Sequence, residues 1–406
     1  MATNLIPKAW RWVYRYHRKR KHLIIGLISG TSADGVDAAL VQVAGPKPDQ
    51  LSVISYLTVP YPKKMRQEVL RCFSNGDVET VTRLNFTLGH LFADAAMQII
   101  QSSKYRSDQV DLIGSHGQTI RHLPPTYHKS KKTPLQNTGA TLQIGDPAVI
   151  AVRTGIPVVS HFRQKDMALG GDGAPLVPLL DHLLFHHPEK SRIVLNIGGI
   201  ANVTVLPANS DEVYAFDTGP GNSLIDIAIS ELTRGRLTHD RNGRWAFRGR
   251  VCEPFLRDLL KHPYFFRRPP KSTGRETFGL AFFKSLQGTI KTHHLSPYDL
   301  IATLTDFTAA SIALSLQRFV LPFLADPIEV IVSGGGVRNP ALMHRLTERL
   351  PRCRFITSDA MGIPSDAKEA IAFAILAHRF LMGLPGNIPS ATGATYPTLL
   401  GSLTLP

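Results

Sequence analysis

The residues best suited to chemistry are an aspartate at the predicted end of a strand and three glycine-rich turns that could hold phosphate. Asp217 follows the apolar residue Phe216 in the segment AFDTGPGNSLID (215–226), and the turn after it leads into a predicted helix with Asn222 as its cap. Carboxylates at the carboxyl ends of sheet strands are well placed for acid–base chemistry. Asp217 is therefore a candidate catalytic residue, although an aspartate at this position can also do no more than cap the turn.

The three glycine-rich turns each follow an apolar, strand-like run. They lie in ISGTSADGVDAAL (28–40), VLNIGGIANVTVL (194–206) and EVIVSGGGVRNP (329–340). Glycine lets the backbone approach a ligand closely, and consecutive turn N–H groups with nearby hydroxyls suit phosphate oxygens. One such turn is weak evidence, whereas three along one chain favour two halves that each present a strand and a turn to one nucleotide. None matches the P-loop or the dinucleotide-binding pattern.

Length and composition indicate a globular protein of two or three domains. The chain has 406 residues, of which 43% are hydrophobic and 19% are charged. No apolar run approaches the ~20 residues that span a bilayer, and the N-terminus lacks an apolar signal segment. Cys72, Cys252 and Cys353 are far apart and have no metal-ligand spacing. These features favour free thiols and a cytoplasmic location.

Residues 1–22 form a basic extension before the first predicted strand. The formal net charge is +15, and positions 8–21 hold seven lysines and arginines with no acid. We expect a solvated, partly disordered arm. The interleaved aromatics Trp10, Trp12, Tyr14 and Tyr16 leave contact with an anionic surface open, although no recognisable nucleic-acid-binding motif accompanies them.

Strand-like runs alternate with helical periodicity along the rest of the chain, so the pattern predicts an α/β protein. The predicted strands are 23–28, 38–43, 51–59, 111–117, 156–160, 192–199, 202–207, 213–217 and 329–336. The predicted helical stretches are 64–102, 222–233, 252–261, 274–292, 301–323, 339–350 and 368–383.

Ten segments, in order along the chain, resemble those of the anhydro-N-acetylmuramic acid kinases. They are ISGTSADGVDAAL (28–40), IGSHGQTIRHLP (113–124), LQIGDPAVIA (142–151), GAPLVPLLD (173–181), NIGGIANVTVLP (196–207), FDTGPGN (216–222), PPKSTGRETFG (269–279), TLTDFTAASIA (303–313), SGGGVRNPALM (333–343) and KEAIAFAILA (368–377). Several are long and unusual, so the resemblance is specific. It implies the two-domain α/β fold of actin-like ATPases (sugar kinases, Hsp70 and actin), with a nucleotide cleft between the domains.

The resemblance implies ATP and Mg²⁺ as cofactors. The glycine-rich turns then correspond to the two phosphate loops and the adenosine loop of this fold. The implied nucleotide-binding residues are Gly30, Thr31, Ser32, Ala33, Asp34, Gly35, Val36, Asp37, Gly198, Gly199, Asn202, Gly334, Gly335 and Gly336. The Mg²⁺ ligands stay open.

The family's reaction opens the 1,6-anhydro bridge of the sugar with water while ATP phosphorylates O6. By resemblance Asp217 takes the place of the base that activates the water. Glu369 matches a family glutamate close to the sugar, but it could also be a first-turn acid that stabilises its own helix. His116 and Gln118 fall in a turn that the resemblance puts near the substrate, although His116 could equally be a structural histidine.

Three polar residues of PPKSTGRE allow two interpretations. Lys271, Thr273 and Arg275 could meet an anionic group. The segment could instead enter a helix with Ser272 as its cap.

The implied domains are a basic extension over 1–22, a first actin-like domain over 23–160 plus 370–406, and a second over 161–369. The resemblance also implies a homodimer that acts on a small anhydrosugar in the cytoplasm, with no membrane span and no specific nucleic acid.

Four positions depart from the family pattern. His161 stands where many members have Asp, Gln164 where some have Arg, Asp172 where Gln is common, and Ala33 where a larger apolar residue is usual. The first three lie where the sugar pocket is shaped, so a kinase of another anhydrosugar such as levoglucosan is the alternative. From other classes, a regulator that hydrolyses ATP slowly is disfavoured by Asp217 with its full turn, and a nucleic-acid binder has least support.

Overall fold

The computed structural model describes residues 8–45, 50–125 and 139–406. In chain order its strands are β1 (Lys21–Ser29), β2 (Gly35–Ala44), β3 (Gln50–Pro60), β4 (Leu112–Leu123), β5 (Ala140–Ile144), β6 (Val158–Ser160), β7 (Ser191–Ile197), β8 (Ile200–Leu206), β9 (Tyr214–Pro220), β10 (Ile328–Ser333), β11 (Cys353–Thr357) and β12 (Ser402–Thr404). Its α-helices are α1 (Lys8–Arg18), α2 (Lys63–Asn75), α3 (Val78–Gln101), α4 (Pro147–Thr154), α5 (Gln164–Ala168), α6 (Val177–Phe185), α7 (Ser223–Leu232), α8 (Arg244–Arg248), α9 (Glu253–Leu260), α10 (Leu280–Ser285), α11 (Gln287–Thr292), α12 (Pro297–Phe319), α13 (Pro340–Arg349), α14 (Lys368–Leu381) and α15 (Pro389–Thr392).

The chain divides into two compact units, whose bounds correct the predicted domain bounds. Unit 1 comprises Met1–Leu184 with Ala367–Pro406, and unit 2 comprises Phe185–Asp366. Residues 161–184 therefore belong to the first unit and not to the second. Long-range polar contacts explain this: Asp166 accepts hydrogen bonds from Asn387 and Thr392, both at 2.7 Å.

Unit 1 is built on a sheet with the strand order β12-β6-β4-β1-β2-β3, and β5 pairs with β4. Strands β1, β2 and β3 form an antiparallel meander. Strands β4 and β6 continue the sheet in parallel with β1. Apolar residues of β1, β2 and α3 form much of its core. Strand β1 is buried at eight consecutive positions, which is typical of a central strand covered on both faces.

Unit 2 repeats this plan with the order β11-β10-β7-β8-β9. Strands β7, β8 and β9 form the meander, and β10 and β11 run parallel to β7. Helix α12 covers one face and is buried along most of its length. The same order in both units confirms the predicted α/β fold of two related halves.

One helix among the described residues is long and apolar enough to cross a membrane. It is α12 with the turn that follows it, residues 297–323, and 89% of its most apolar window is buried inside the protein. This burial is that of a core helix, and its apolar residues pack on the sheet of unit 2.

Helix α14 lies directly on β1 and β4 because two glycines remove the side chains between them. A Cβ at Gly26 would lie 1.8 Å from the carbonyl oxygen of Ala370, and one at Gly114 would lie 2.1 Å from that of Phe373. No larger residue fits at either position without moving the helix. The sequence thereby fixes where the N-terminus of α14, with Glu369, meets the sheet.

The basic extension is not a solvated arm throughout, so that expectation was wrong for residues 12–22. Tyr16 of α1 is 2% exposed, stacks on His22 at 4.1 Å between ring centroids, and donates its hydroxyl to Nδ1 of His378 at 2.7 Å. Tyr14 and the charged ends of Arg15 and Arg18 remain exposed. Residues 1–7 and the side chain of Trp10 lie outside the described residues.

Candidate active site

Asp217 lies within strand β9 and not at its end, which corrects the predicted strand boundary. The strand continues to Pro220, because Gly219 adopts a φ of 147° and Ile200 and Ala201 of β8 pair with Pro220 and Gly219. The bulge at this pairing places Asp217 directly opposite Asn202. The carboxylate therefore projects from the sheet surface, where its backbone is held more firmly than in a turn.

Three hydrogen bonds from one segment hold Asp217. Its N–H donates to the carbonyl of Lys271 at 3.0 Å, and its carbonyl accepts from the Tyr264 hydroxyl at 2.6 Å. Its Oδ2 accepts from the N–H of Thr273 at 2.9 Å. Among the described residues only the last bond reaches the carboxylate, so Oδ1 is open to a reacting group.

The environment of Asp217 favours a proton acceptor near neutral pH. Burial raises the pKa of Asp217 to about 6, and the Glu276 charge acts in the same direction. The Thr273 N–H and the Lys271 charge oppose the rise. Ionised above this pH but more basic than a free aspartate, the carboxylate suits general-base work.

Lys271 packs among aromatic rings beside Asp217 and forms no ion pair with a described residue. Its ammonium lies 4.7 Å from the ring centre of Tyr264, 5.0 Å from that of Phe319 and 5.9 Å from that of Phe216. Burial lowers the pKa of Lys271 to about 8, and nearby arginine charges add to this effect. No helix begins after Ser272, so its predicted capping role was also wrong.

A row of polar residues crosses the sheet of unit 2 beside Asp217. The strand register places Ser333 next to Asn196, Asn196 opposite Asn202, and Asn202 opposite Asp217. Side chains that are directly opposite share one face of a sheet. The apolar neighbours of these residues point to the other face, into the core under α12. The predicted site residues Asn202 and Asp217 are thus brought together.

The second glycine loop (residues 198–199) is fixed by backbone contacts. Its two carbonyls accept from the N–H groups of Gly221, Asn222 and Ser223 at 2.8 to 3.1 Å. The N–H of Gly199 has no acceptor among the described residues, so it can donate to a ligand. Two nitrogens of the Arg275 guanidinium lie 3.9 Å from the point where a Cβ of Gly199 would be.

The third glycine loop (residues 334–336) combines packing with one open position. A Cβ at Gly334 would lie 2.6 Å from Oδ1 of Asn196, and one at Gly336 would lie 2.3 Å from Cγ2 of Ile197. Packing therefore explains both glycines. Gly335 is exposed, and its nearest neighbour would be Nδ2 of Asn222 at 3.9 Å. Asn222 does not cap α7 with its side chain but donates to the carbonyl of Ile197 at 3.3 Å.

The first glycine loop (residues 30–34) joins β1 to β2 and carries two N–H groups, of Thr31 and Ser32, without an acceptor among the described residues. Ala33 is fully buried with a φ of 48°, which explains why a small residue stands here. Gly35, Val36 and Asp37, which were predicted to bind nucleotide, are the first residues of β2, so this contact stays a prediction. Gly35 and Val36 are buried.

Gln118 holds the first loop instead of facing a ligand. Its side chain is fully buried; Oε1 accepts from the hydroxyl of Ser29 at 2.7 Å, and Nε2 donates to the carbonyl of Gly30 at 3.1 Å. Since protein partners occupy this amide, its predicted contact with substrate is not favoured by the geometry. Its role here is to position Gly30.

His116, Arg163 and Glu369 form a polar cluster in unit 1. His116 donates from Nδ1 to the carbonyl of Gly117 at 3.0 Å and accepts at Nε2 from Nε of Arg163 at 2.9 Å. Because an arginine can only donate, His116 is neutral, and burial holds its pKa well below the usual value. Glu369 stands on the first turn of α14, and its side chain is exposed.

Arg163 was not predicted as a site residue, although His161, two residues before it, was noted as a departure from the family pattern. Its Nη1 donates to the carbonyl of Gly173 at 2.7 Å, and burial lowers its pKa to about 10. Its Nη2 donates to no described residue. The two N–H bonds of Nη2 can therefore be donated to an anionic ligand.

Two further polar groups were also missed. Burial raises the pKa of Asp226, on the first turn of α7, to about 7. Lys368 forms a buried ion pair of 2.7 Å with Asp181, which ties the start of α14 to α6. Acidic residues and lysines are common in the first turns of helices, so the sequence around Asp226 and Lys368 does not mark either residue as part of a site.

One of the departures from the family pattern, His161, lines a pocket in unit 1 of about 320 Å³. His161 lies on its wall with Ser160 and His116, and has a φ of 61° that non-glycine residues seldom adopt. Gln164 lies within 3.3 Å of the His161 ring, and the N–H of Asp172 donates to Thr392. An imidazole ring thus stands at this wall where many family members have a carboxylate.

A duplicated α/β sheet with glycine loops and a half-buried aspartate is the arrangement expected of an actin-like kinase. The model of the family "Anhydro-N-acetylmuramic acid kinase" matches residues 22–406. The chain belongs to this family. The basic residues 1–21 lie outside the match.

Proteins named anhydro-N-acetylmuramic acid kinase are similar along nearly their whole length. The one from Caldanaerobacter subterraneus subsp. tengcongensis is 43% identical over 396 residues, which cover 96% of this chain and 99% of that protein. The one from Acaryochloris marina is 46% identical over 392 residues, 94% and 99% of the two chains. Among solved structures, component A of the (R)-2-hydroxyglutaryl-CoA dehydratase of Acidaminococcus fermentans aligns with a TM-score of 0.45 and 10% identity, over 89% of this chain and 99% of that one. The family assignment rests on the sequence relatives.

Proposed function

We propose that this protein uses ATP and water to convert 1,6-anhydro-N-acetylmuramic acid into N-acetylmuramic acid 6-phosphate and ADP. Family membership supports the substrate class. The observation that carries the reaction is Asp217, a half-buried carboxylate with one open oxygen and a pKa raised to about 6.

The reaction needs one base and no general acid. Water attacks C1 of the sugar, Asp217 takes one proton of that water, and the C1–O6 bond breaks. The electron pair of that bond stays on O6, which attacks the γ-phosphorus, and ADP leaves with the pair of the broken P–O bond. Because O6 is phosphorylated as it departs, it does not have to be protonated.

Free N–H groups of the glycine loops support the phosphate-binding part of the proposal. The amides of Thr31, Ser32 and Gly199 have no acceptor in the part of the chain that the structure describes, and such amides stabilise phosphoryl oxygens without reorganisation. Gly335 leaves space for the adenosine. These groups would hold the nucleotide.

Mg²⁺ would neutralise phosphate charge when it is bound. No group of three or more Asp, Glu, His or Cys side chains with metal-binding geometry occurs in the part of the chain that the structure describes. Mg²⁺ with ATP commonly needs only one or two carboxylates besides the phosphates. Asp34, exposed and oriented by the Ser32 hydroxyl at 2.8 Å, fits such a role.

Arg163 and Glu369 support a muramic substrate over levoglucosan. The lactyl group of the muramic sugar carries a carboxylate, which levoglucosan lacks. The open Nη2 of Arg163 offers a cation for that carboxylate, and Glu369 can accept a sugar hydroxyl nearby. We expect the protein to act as a cytoplasmic homodimer.

The test is ADP release on a panel of anhydrosugars, with products identified by mass in ¹⁸O-labelled water. The anhydromuramic sugar should give a 6-phosphate with ¹⁸O at C1, and levoglucosan should react much more slowly. A phosphorylated sugar with its anhydro bridge intact would overturn the coupled mechanism. Preference for levoglucosan would replace the substrate but leave the reaction type.

A further inference from the structure

Unit 2 has three basic residues, each next to Asp217 or to a glycine loop, that could neutralise the charge of a transferred phosphoryl group. Lys271 is enclosed by three aromatic rings. Arg338, which follows the third loop, is paired with Asp366. Arg275 is exposed and makes no hydrogen bond or ion pair with a described residue. Arg275 is therefore the basic residue of the three that is available to a ligand.

Gly199 creates the space that Arg275 faces. Nε and Nη2 of Arg275 both lie 3.9 Å from the point where a Cβ would stand on Gly199. The planar fork of the guanidinium thus lies beside the one loop N–H that has no protein acceptor. A phosphoryl oxygen at this N–H would be within reach of the fork.

The backbone that carries Arg275 is firmly held. The N–H groups of Thr277 and Phe278 donate to the carbonyl of Gly274 at 3.1 and 3.0 Å. The Ser223 hydroxyl, at the start of α7, donates to the carbonyl of Phe278 at 2.9 Å. The turn with Arg275 and the second loop are therefore both tied to the N-terminus of α7, which keeps their spacing constant.

Asp226 lies near Arg275 without occupying its donors. The Arg275 charge lowers the pKa of Asp226, against burial that raises it to about 7. The two side chains nevertheless form no ion pair within 4 Å. Such an arrangement restrains the guanidinium and leaves its N–H groups for an incoming anion.

We propose that Arg275 is a catalytic residue whose guanidinium binds the phosphoryl group as it passes from ATP to O6. This inference rests on the proposed function. In phosphoryl transfer the transition state spreads charge over the equatorial oxygens, and positioned cations stabilise it. Arg275 donates N–H groups to these oxygens and transfers no proton.

The variants Arg275→Ala and Arg275→Lys test the proposal, with Arg268→Ala as the matched control. Arg268 is exposed in the same unit, and its removal changes the net charge equally. We expect Arg275→Ala to lower kcat by about 100-fold or more, since positioned arginines supply ~10³–10⁵-fold in related reactions. The KM for the sugar should change little. Arg275→Lys should stay well below wild type because it loses the fork.

Guanidinium chloride at low millimolar concentration should restore part of the Arg275→Ala rate, and its melting temperature should match that of wild type. A kcat within threefold of wild type would overturn the proposal. So would an equal loss in Arg268→Ala, or a loss accompanied by a lower melting temperature without rescue. Wild-type turnover of the anhydromuramic sugar is measured first, so that failure of the proposed function is recognised separately.

Discussion

The two units place a strand–turn–strand hairpin at the same position of the same strand order, yet they hold it differently. In unit 1 the loop of residues 30–34 is anchored by a side chain, the fully buried amide of Gln118. In unit 2 the loop of residues 198–199 is anchored by the backbone of residues 221–223. The first loop carries hydroxyl groups and a carboxylate that could bind a ligand, whereas the second offers only the backbone groups of two glycines.

This difference indicates a division of labour. Unit 2 holds Asp217 with three hydrogen bonds from one segment, and brings a free guanidinium to its loop. Unit 1 has a carboxylate, Glu369, that no described residue bonds, and a neutral histidine that orients Arg163. Rigid placement suits the reacting groups, and a less constrained carboxylate suits adjustment to a substrate.

The largest loss of kcat should come from replacing the carboxylate of Asp217, and a smaller effect should come from replacing that of Glu369. Asp217→Asn keeps the shape but loses the base, so kcat should fall by ~10²–10⁴-fold while sugar and ATP binding survive. Glu369→Gln should lower kcat/KM for the sugar by a smaller factor, mainly through KM. Steady-state kinetics above pH 7 check this. An Asp217→Asn enzyme with more than a tenth of wild-type kcat would assign the base elsewhere.

The same substitution should stabilise unit 2 at alkaline pH. The folded pKa of Asp217, about 6, lies above its ordinary value, so the protein prefers the protonated form and loses stability as pH rises from about 4 through 6. Asp217→Asn removes this cost, which is at most about 3 kcal/mol at 1.36 kcal/mol per pKa unit. Urea unfolding should show the gain at pH 8 and almost none near pH 4. A gain of equal size at both pH values would contradict the assigned pKa.

A pair of glycine variants separates ligand contact from packing in the second loop. In Gly199→Ala the new Cβ lies 3.9 Å from its neighbours, so the fold should tolerate it while the KM for ATP rises by about tenfold, ~1.4 kcal/mol. In Gly221→Ala the Cβ would lie 2.3 Å from the carbonyl oxygen of Gly198, so the melting temperature should fall. Calorimetry and ATP titration give both quantities. The reverse pattern would mean that Gly199 is the packing residue.

The smallest effect should be found at the N-terminal helix of unit 1. Tyr16→Phe leaves the stacking on His22 but removes the hydroxyl from His378, which should cost about 1–2 kcal/mol of unfolding free energy. Since the hydroxyl of Tyr16 bonds to His378 and to none of the predicted site residues, kcat and KM should stay unchanged. Tyr14→Phe, at an exposed position, is the control. Loss of activity without loss of stability would give α1 a role in the reaction.

Local patterns predicted the loops and Asp217, but not the contacts between distant segments. The turn of residues 198–199 and the strand before it could be recognised because both are continuous in sequence. Lys271 was expected to meet an anion, and its aromatic cage depends on Phe319, 48 residues further on. Tyr16 was expected in a solvated arm, and its partner His378 is 362 positions away. Val36 was predicted to lie in a loop, but it lies in β2. The residue at which β2 begins depends on pairing with β3, which local sequence does not reveal.

The glycine contacts beneath α14 have a mechanical consequence for unit 1. Gly26 and Gly114 let the backbones of β1, β4 and α14 touch, so that sliding or turning the helix would drive carbonyls into the strands. The first loop at the end of β1 and Glu369 at the start of α14 must then travel together whenever the protein changes shape. In hydrogen exchange, the central amides of these three elements should open in one cooperative event, well after those of α2.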